Sequence, residues 1–446
     1  MESRQGGSAG RSDEPPTRER PERAGTFASL RLRDFRLLWA GQVSHTCALW
    51  AEQIARPVLV YELTGSAAHL GAVVAMRTLP QLGLGVVAGV IADRYDRRRV
   101  LIVTKIGALA IGVAFAALLV AGQLELWHIY LASFGRGALM AFDQPARNSL
   151  IPSVVPAAWL MNAVALMATT QSSMRVVGAA AAGVALGVIG TEGTFVLIPV
   201  IYVGSVTATI LMRTPAQPAP AGIGISALRA DLVEGLRFAR SHRAIRVTLL
   251  LSLLFFTLGV PYLQVFSPLF ALEVLDMGNT GVGILLAVSG VGALVGALMV
   301  ASQPSTRIGL MLPLLLVAFG VALVLFAVSA SLPALWGRRW LVLPLVAIAA
   351  VGMLQTAYFA YVQTMLLDAA PNELRARVFS LISLDRATST AGAAAAGLLA
   401  EAAGTQLAQA AYGALLIVGG AATLLLAREF LAYRMGGGPP PRQPSR

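Results

Sequence analysis

Lysine and cysteine are almost missing from this chain. Lys105 is the only lysine and Cys47 the only cysteine in 446 residues. A single thiol forms no intrachain disulfide. A phosphate-binding loop needs a Gly-Lys-Ser/Thr triplet, and Lys105 follows Ile102, Val103 and Thr104, so a nucleotide site of that kind is excluded. His45, His69, His128 and His242 are scattered and no H-E-x-x-H motif occurs, which leaves no metal-ligand spacing. The chain is therefore expected to be no enzyme and to carry no metal or cofactor. Charge is scarce as well: 13% of residues are charged, against about a quarter in a soluble domain.

What fills the space is apolar. Hydrophobic residues make up 57% of the chain and the mean hydropathy is +0.72, more than one water-soluble core can enclose. Runs such as those starting at Val100, Phe195 and Gly309 reach the roughly 20 residues that cross a bilayer core of about 30 Å as an α-helix. Short alternating segments of the β-barrel kind are not seen. Arg, Pro and Gly punctuation predicts about twelve helices, at 36–62, 68–92, 100–122, 126–149, 160–188, 194–212, 244–272, 279–302, 309–331, 340–367, 375–401 and 406–431. The expected fold class is an all-α integral membrane protein with twelve transmembrane helices in two six-helix halves.

Arginine sets the expected orientation. Arg31, Arg33, Arg36, Arg94, Arg97 to Arg99, Arg147, the cluster from Arg229 to Arg246, Arg307, Arg375, Arg377, Arg428 and Arg434 all fall on one side of that count. By the positive-inside rule this side is the cytoplasm. Opposite lie Glu62, Glu125, Glu192, Glu273, Asp276 and Glu401, with Arg338 and Arg339 as the local exception. The predicted organisation is a cytosolic tail at 1–33, helical bundles at 34–212 and 244–432, a linker at 213–243 and a second tail at 433–446. Within the linker, Leu228, Leu232, Leu236 and Ala239 recur opposite Arg229, Arg237, Arg240 and Arg243, the pattern of a helix lying along the inner leaflet.

The two bundles read as a duplication. GAAAAG occurs at Gly178 to Gly183 and at Gly392 to Gly397, 214 positions apart. Pro57 and Glu62 match Pro268 and Glu273 at an offset of 211, and Gly85 and Gly89 match Gly292 and Gly296 at 207. Small residues alone are common where membrane helices approach. A consistent offset across separate landmarks points instead to a parallel repeat.

GVIADRYDRRR, Gly89 to Arg99, falls between the second and third predicted helices. It resembles the signature loop of the major facilitator superfamily. FRLLWAGQ from Phe35, VYELTGS from Val60, FDQPARNSLIP from Phe142 and LVEGLRFARSH from Leu232 are similar to the branch that contains the enterobactin exporter and related efflux proteins. The resemblance implies a gating role for Gly89, Asp93 and Arg97, with Arg94 and Arg98 beside them and Asp143 with Arg147 as a partner pair. It also implies export. The second-half counterpart, GALMVASQPSTRIG, keeps Gly296 and Arg307 but has no acid.

Ionisable residues inside a span cost roughly 2.5–3.5 kcal/mol on insertion scales, so they are functional candidates. His45, Glu52 and Arg56 share one face of the first helix, and Arg77, Arg136, Arg175, Asp385 and Arg386 fall in others. Five arginines against two carboxylates suit an anionic or strongly hydrogen-bonding substrate; the alternative is ion pairing that staples helices together. Glu52 and Asp385 are the candidate proton-coupling groups. His45, Arg56, Arg77, Arg136, Arg175, Gln355, Tyr358 and Arg386 are the candidate substrate contacts, with Tyr262, Gln264 and Tyr361 as possible lining.

The function expected is secondary active transport by alternating access, export of a siderophore, drug or secondary metabolite in exchange for protons. A proton-coupled importer or a non-transporting membrane sensor are the alternatives. Expected partners are a small-molecule substrate, protons and membrane lipids, with no nucleic acid, in a monomer of the bacterial inner membrane with both termini cytoplasmic.

Overall fold

The computed structural model describes residues 27–213, 237–302, 306–333, 337–370 and 383–435. The predicted leaflet helix of the linker falls largely on 214–236 and lies outside them. Among the described residues every regular element is helical. The long elements are α1 Arg33–Thr64, α2 Ala67–Arg94, α3 Arg97–Val120, α4 Leu126–Val154, α5 Leu160–Leu211, α6 Arg243–Val274, α7 Gly278–Ser302, α8 Ile308–Ser329, α9 Val342–Ala369, α10 Ser383–Ala403 and α11 Thr405–Leu426.

Seven helices among the described residues are long and apolar enough to cross a membrane: α3, α5, α6, α7, α8, α9 and α11, some extended by a turn at one end. Two of the remaining helices bury charge. Helix α1 encloses His45, Glu52 and Arg56, and α4 encloses Asp143. Leucine, valine and isoleucine meanwhile stand exposed on the outer surface, as at Val103, Val113, Leu131, Val188, Leu298, Leu325 and Leu425. Apolar side chains outside and charge inside is the arrangement that lipid, not water, stabilises.

Helices 160–188 and 194–212 are predicted as separate elements, yet α5 is continuous except at Gly190 (φ 70°, ψ −176°). That left-handed φ suits a residue without Cβ. Ser29 donates to Asn162 Oδ1 at 2.7 Å and Arg33 to the Leu211 carbonyl at 3.3 Å, so both ends of α5 reach the same end of the bundle. The helix doubles back at Gly190, and its two arms do the work of the two predicted helices. Helix α6 departs from prediction too, with π-helical turns at Phe255–Gly259, Tyr262–Phe266 and Phe270–Val274.

The end that Ser29 and Arg33 mark is rich in arginine, and its arginines bond backbone carbonyls near the helix ends. Arg97 donates to the Ser149 carbonyl at 3.0 Å and Arg98 to the Ile210 carbonyl at 2.7 Å, while Asp96 caps α3 by accepting from the Arg98 N–H. The opposite end is acidic. There Glu62 accepts from Thr191 at 2.9 Å and Asn279 at 2.7 Å, Glu273 accepts from Thr405 at 2.5 Å, and Glu401 accepts from Ser66 at 3.0 Å.

The two GAAAAG stretches occupy matching places. Gly178 packs on Trp50 and Cys47 of α1, and Gly392 packs on Thr257 of α6. Gly183 meets Gly283 of α7, and Gly397 meets Ala67 and Gly71 of α2. A methyl group at Gly183 would run into the Gly283 backbone, so glycine at this crossing sets how closely α5 and α7 approach. In each set of helices the first glycine touches the set's own first helix, and the second glycine touches the other set's second helix.

Candidate functional site

Between the helices of residues 27–213 and those of 237–435 lies a cavity of about 330 Å³. Helices α1 and α2 supply most of its wall, including Glu52, Gln53, Arg56, Arg77 and Gln81, while Phe256, Val260 and Gln264 of α6 and Ser389 of α10 face them. Its polar groups come chiefly from one side. At the acidic end the two sets are tied together by the Glu62–Asn279 and Glu401–Ser66 hydrogen bonds and by the glycine crossings.

On the α1 wall, Glu52 is largely buried and held by two guanidinium groups. Arg56, four residues on along the same helix, pairs with Oε1, and Arg136 of α4 donates to Oε2 at 2.7 Å. Sequence spacing offers Arg136 no acid within a turn of its own helix; the acid comes from across the bundle. Arg56 also donates to Ser133 of α4. Among the described residues no carboxylate lies within 4.0 Å of Arg77, which lines the cavity.

A second buried carboxylate, Asp143, sits farther along α4. Lys105 of α3 lies 3.7 Å from its Oδ2, and His45 Nε2 and Arg147 Nε each lie 4.0 Å from Oδ1. Arg147 also donates to Gln42, and Lys105 donates to Ser205 at 2.7 Å. Tyr202, on the second arm of α5, connects the two clusters. Its hydroxyl is 3.0 Å from His45 Nδ1, and its ring lies 5.0 Å from the Arg136 guanidinium carbon and 5.8 Å from Lys105 Nζ. Four cations, Arg56, Arg136, Lys105 and Arg147, thus share two carboxylates, and Arg77 stands beside them without one in reach among the described residues. Ion pairs of this depth recover their desolvation only through good geometry, and losing one partner costs about 3–5 kcal/mol.

The structure brings together His45, Glu52, Arg56, Arg77, Arg136, Asp143 and Arg147. The other candidates stand elsewhere. Gln355 accepts from the Tyr262 hydroxyl at 2.9 Å, and Tyr358 is buried with its ring stacked on Phe255 at 4.3 Å; neither lines the cavity. Tyr361 is buried, whereas Gln264 lies on the cavity wall. Gly89, Asp93 and Arg94 fall on the last turns of α2, Arg175 on α5 and Asp385 and Arg386 on the first turn of α10, but their side chains lie outside the described residues. Lys105, Ser133 and Tyr202 were missed by sequence reasoning. The chain's one lysine inside an apolar run was the available signal, since an unpaired ammonium there is costly.

A profile of the transmembrane secretion effector family matches residues 24–431. Macrolide efflux protein A of Streptococcus pyogenes is 25% identical over 269 residues, 59% of this chain, and the chain spans 65% of that relative's length. The multidrug efflux pump Tap of Mycolicibacterium fortuitum is 28% identical over 362 residues, 79% of this chain and 85% of the relative. In three dimensions the chain is similar to the nucleoside transporter NupG, with a TM-score of 0.70 over 88% of this chain and 99% of that one; at 11% identity this is a likeness of fold.

Proposed function

Because the chain belongs to the transmembrane secretion effector family of the major facilitator superfamily, we propose that it is a secondary active exporter of a drug-like or siderophore-like small molecule, driven by proton antiport. Twelve spans form two six-helix halves, 34–212 and 244–432, and the halves rock about the central cavity. The arginine-bearing end and both termini face the cytoplasm. The structure then represents the state closed on the outer side.

One observation carries this reading: a cavity between the two helix sets, tied shut at the acidic end, with a carboxylate and an uncompensated arginine in its wall. Glu52 is the proton-coupling group and Arg77 the anchor for an anionic or strongly hydrogen-bonding group of the substrate. With Glu52 ionised, Arg56 and Arg136 are occupied; with Glu52 protonated, their hydrogen-bonding capacity turns to the substrate. Proton and substrate then compete for one set of arginines, which is what antiport requires. Gly89, Asp93, Arg94, Arg97 and Arg98 gate the cytoplasmic side. Export, rather than uptake, is supported by the efflux relatives.

The test is transport by purified protein in liposomes filled with a pH-sensitive dye. Under an imposed pH gradient, a macrolide or a carboxylate-bearing siderophore should accumulate and protons should move in the opposite direction. Substrate movement that ignores the pH gradient, with no proton countermovement, contradicts the reading.

A further inference from the structure

A second concavity, of about 770 Å³, lies on the outer surface between α6 and α11. It shares no lining residue with the central cavity, although α6 borders both. Its floor is Gly419, Ala422 and Thr423 of α11 against Leu254 of α6, and Leu250 and Leu426 form its exposed flanks. Arg243 and Arg246 stand at its mouth, at the arginine-bearing end of the bundle.

Length and charge together define what fits. The wall from Val247 to Leu258 rises roughly 16 Å at 1.5 Å per residue, about half of the ~30 Å hydrocarbon core. The groove is therefore one leaflet deep. Arg243 and Arg246 lie three residues apart on one face of the first turn of α6, where backbone N–H groups add to the positive potential. Arg243 pairs at 2.5 Å with Glu429, whose carboxylate side chain is 77% exposed, so an anion can exchange with it. Arg246 donates one hydrogen to the Arg240 carbonyl at 3.0 Å, and among the described residues no carboxylate lies within 4.0 Å of it. Arg237 and Arg240 are exposed just outside the mouth.

We propose that this groove binds one anionic glycerophospholipid from the leaflet facing the arginine-bearing end, with an acyl chain between α6 and α11 and the phosphodiester against Arg246 and Arg243. A zwitterionic lipid offers the same chain but returns its own cation to a mouth already rich in positive charge, so the site prefers a net anionic head group. Both walls belong to the same helix set, so the site does not depend on the transport reading.

Native mass spectrometry of the full-length protein, titrated separately with phosphatidylglycerol and phosphatidylcholine, tests it. The wild type should hold one phosphatidylglycerol in preference to phosphatidylcholine. Arg243→Gln with Arg246→Gln should weaken phosphatidylglycerol binding roughly 10- to 30-fold and leave phosphatidylcholine unchanged, while the charge-preserving Arg246→Lys should bind like the wild type. Ala422→Trp, which fills the groove, should weaken both lipids. Size-exclusion elution identical to wild type establishes that each variant is folded, and the exposed arginine pair decides the matter if Ala422→Trp fails that check. Equal binding of the two lipids by the wild type, or wild-type phosphatidylglycerol binding by the double glutamine variant, overturns the proposal.

Discussion

Replacing Glu52 by glutamine removes one charge from a site built around it. Arg56 and Arg136 hold the two oxygens of the same carboxylate, the second at 2.7 Å, so their guanidinium groups stand roughly 5–6 Å apart. At an effective dielectric constant near 20, two unit charges at that separation repel by about 3 kcal/mol. The amide accepts from one arginine and turns an N–H₂ toward the other, which compensates neither charge. The loss of stability should fall in the range of about 3–5 kcal/mol found when one partner of a buried ion pair is removed. Thermal unfolding in detergent should shift down by several degrees, and Arg56→Met added to Glu52→Gln should recover about 1–3 kcal/mol. In liposomes, Glu52→Gln should lose accumulation driven by a pH gradient while exchange of labelled for unlabelled substrate persists. Wild-type accumulation by the variant refutes the coupling role and leaves Glu52 as a structural partner of Arg56 and Arg136.

Lys105→Met should destabilise the protein by about 3 kcal/mol, because Asp143 loses its ammonium partner, and Asp143→Asn in the same chain should restore part of that loss; additive melting shifts would show that the two do not interact. Gly183→Val should hold α5 away from α7 and raise the labelling of an engineered cysteine in place of Val60 by a reagent applied at the acidic end, and unchanged labelling would mean that the crossing does not close that end. Arg77→Gln should raise the KM for an anionic substrate about tenfold and leave a neutral one untouched; equal effects on both would remove its role as anchor.

Much of this arrangement was legible in the chain because two of its signals are local. Long apolar runs mark helices whatever they pack against, and α3, α8 and α11 begin and end within a few residues of expectation. The GAAAAG pair pointed to equivalent positions, and the contacts of Gly178, Gly183, Gly392 and Gly397 are equivalent. The Glu52–Arg56 pair followed from i, i+4 spacing. What spacing misses is any partner on another helix. Arg136 looked unpaired because its acid lies on α1, and Lys105 served only to exclude a phosphate-binding loop because its partner Asp143 reaches it from α4. Tyr202 carries no charge pattern at all, and its place between His45 and Arg136 exists only once α5 has doubled back at Gly190. Gln355 and Tyr358 show the converse, polar residues at a suitable depth that serve packing within their own helix set.

The central claim is that the two helix sets exchange which end of the cavity is closed, and distances measured by pulsed electron resonance test it most directly. One spin-label pair replaces Glu62 and Asn279 at the acidic end, where the native side chains are 2.7 Å apart; another replaces Val154, at the end of α4, and Leu367, near the end of α9. Lowering the pH on the acidic side in the presence of substrate should lengthen the first distance and shorten the second in the same population. If both distances stay fixed, or lengthen together, the halves do not alternate and the account is contradicted.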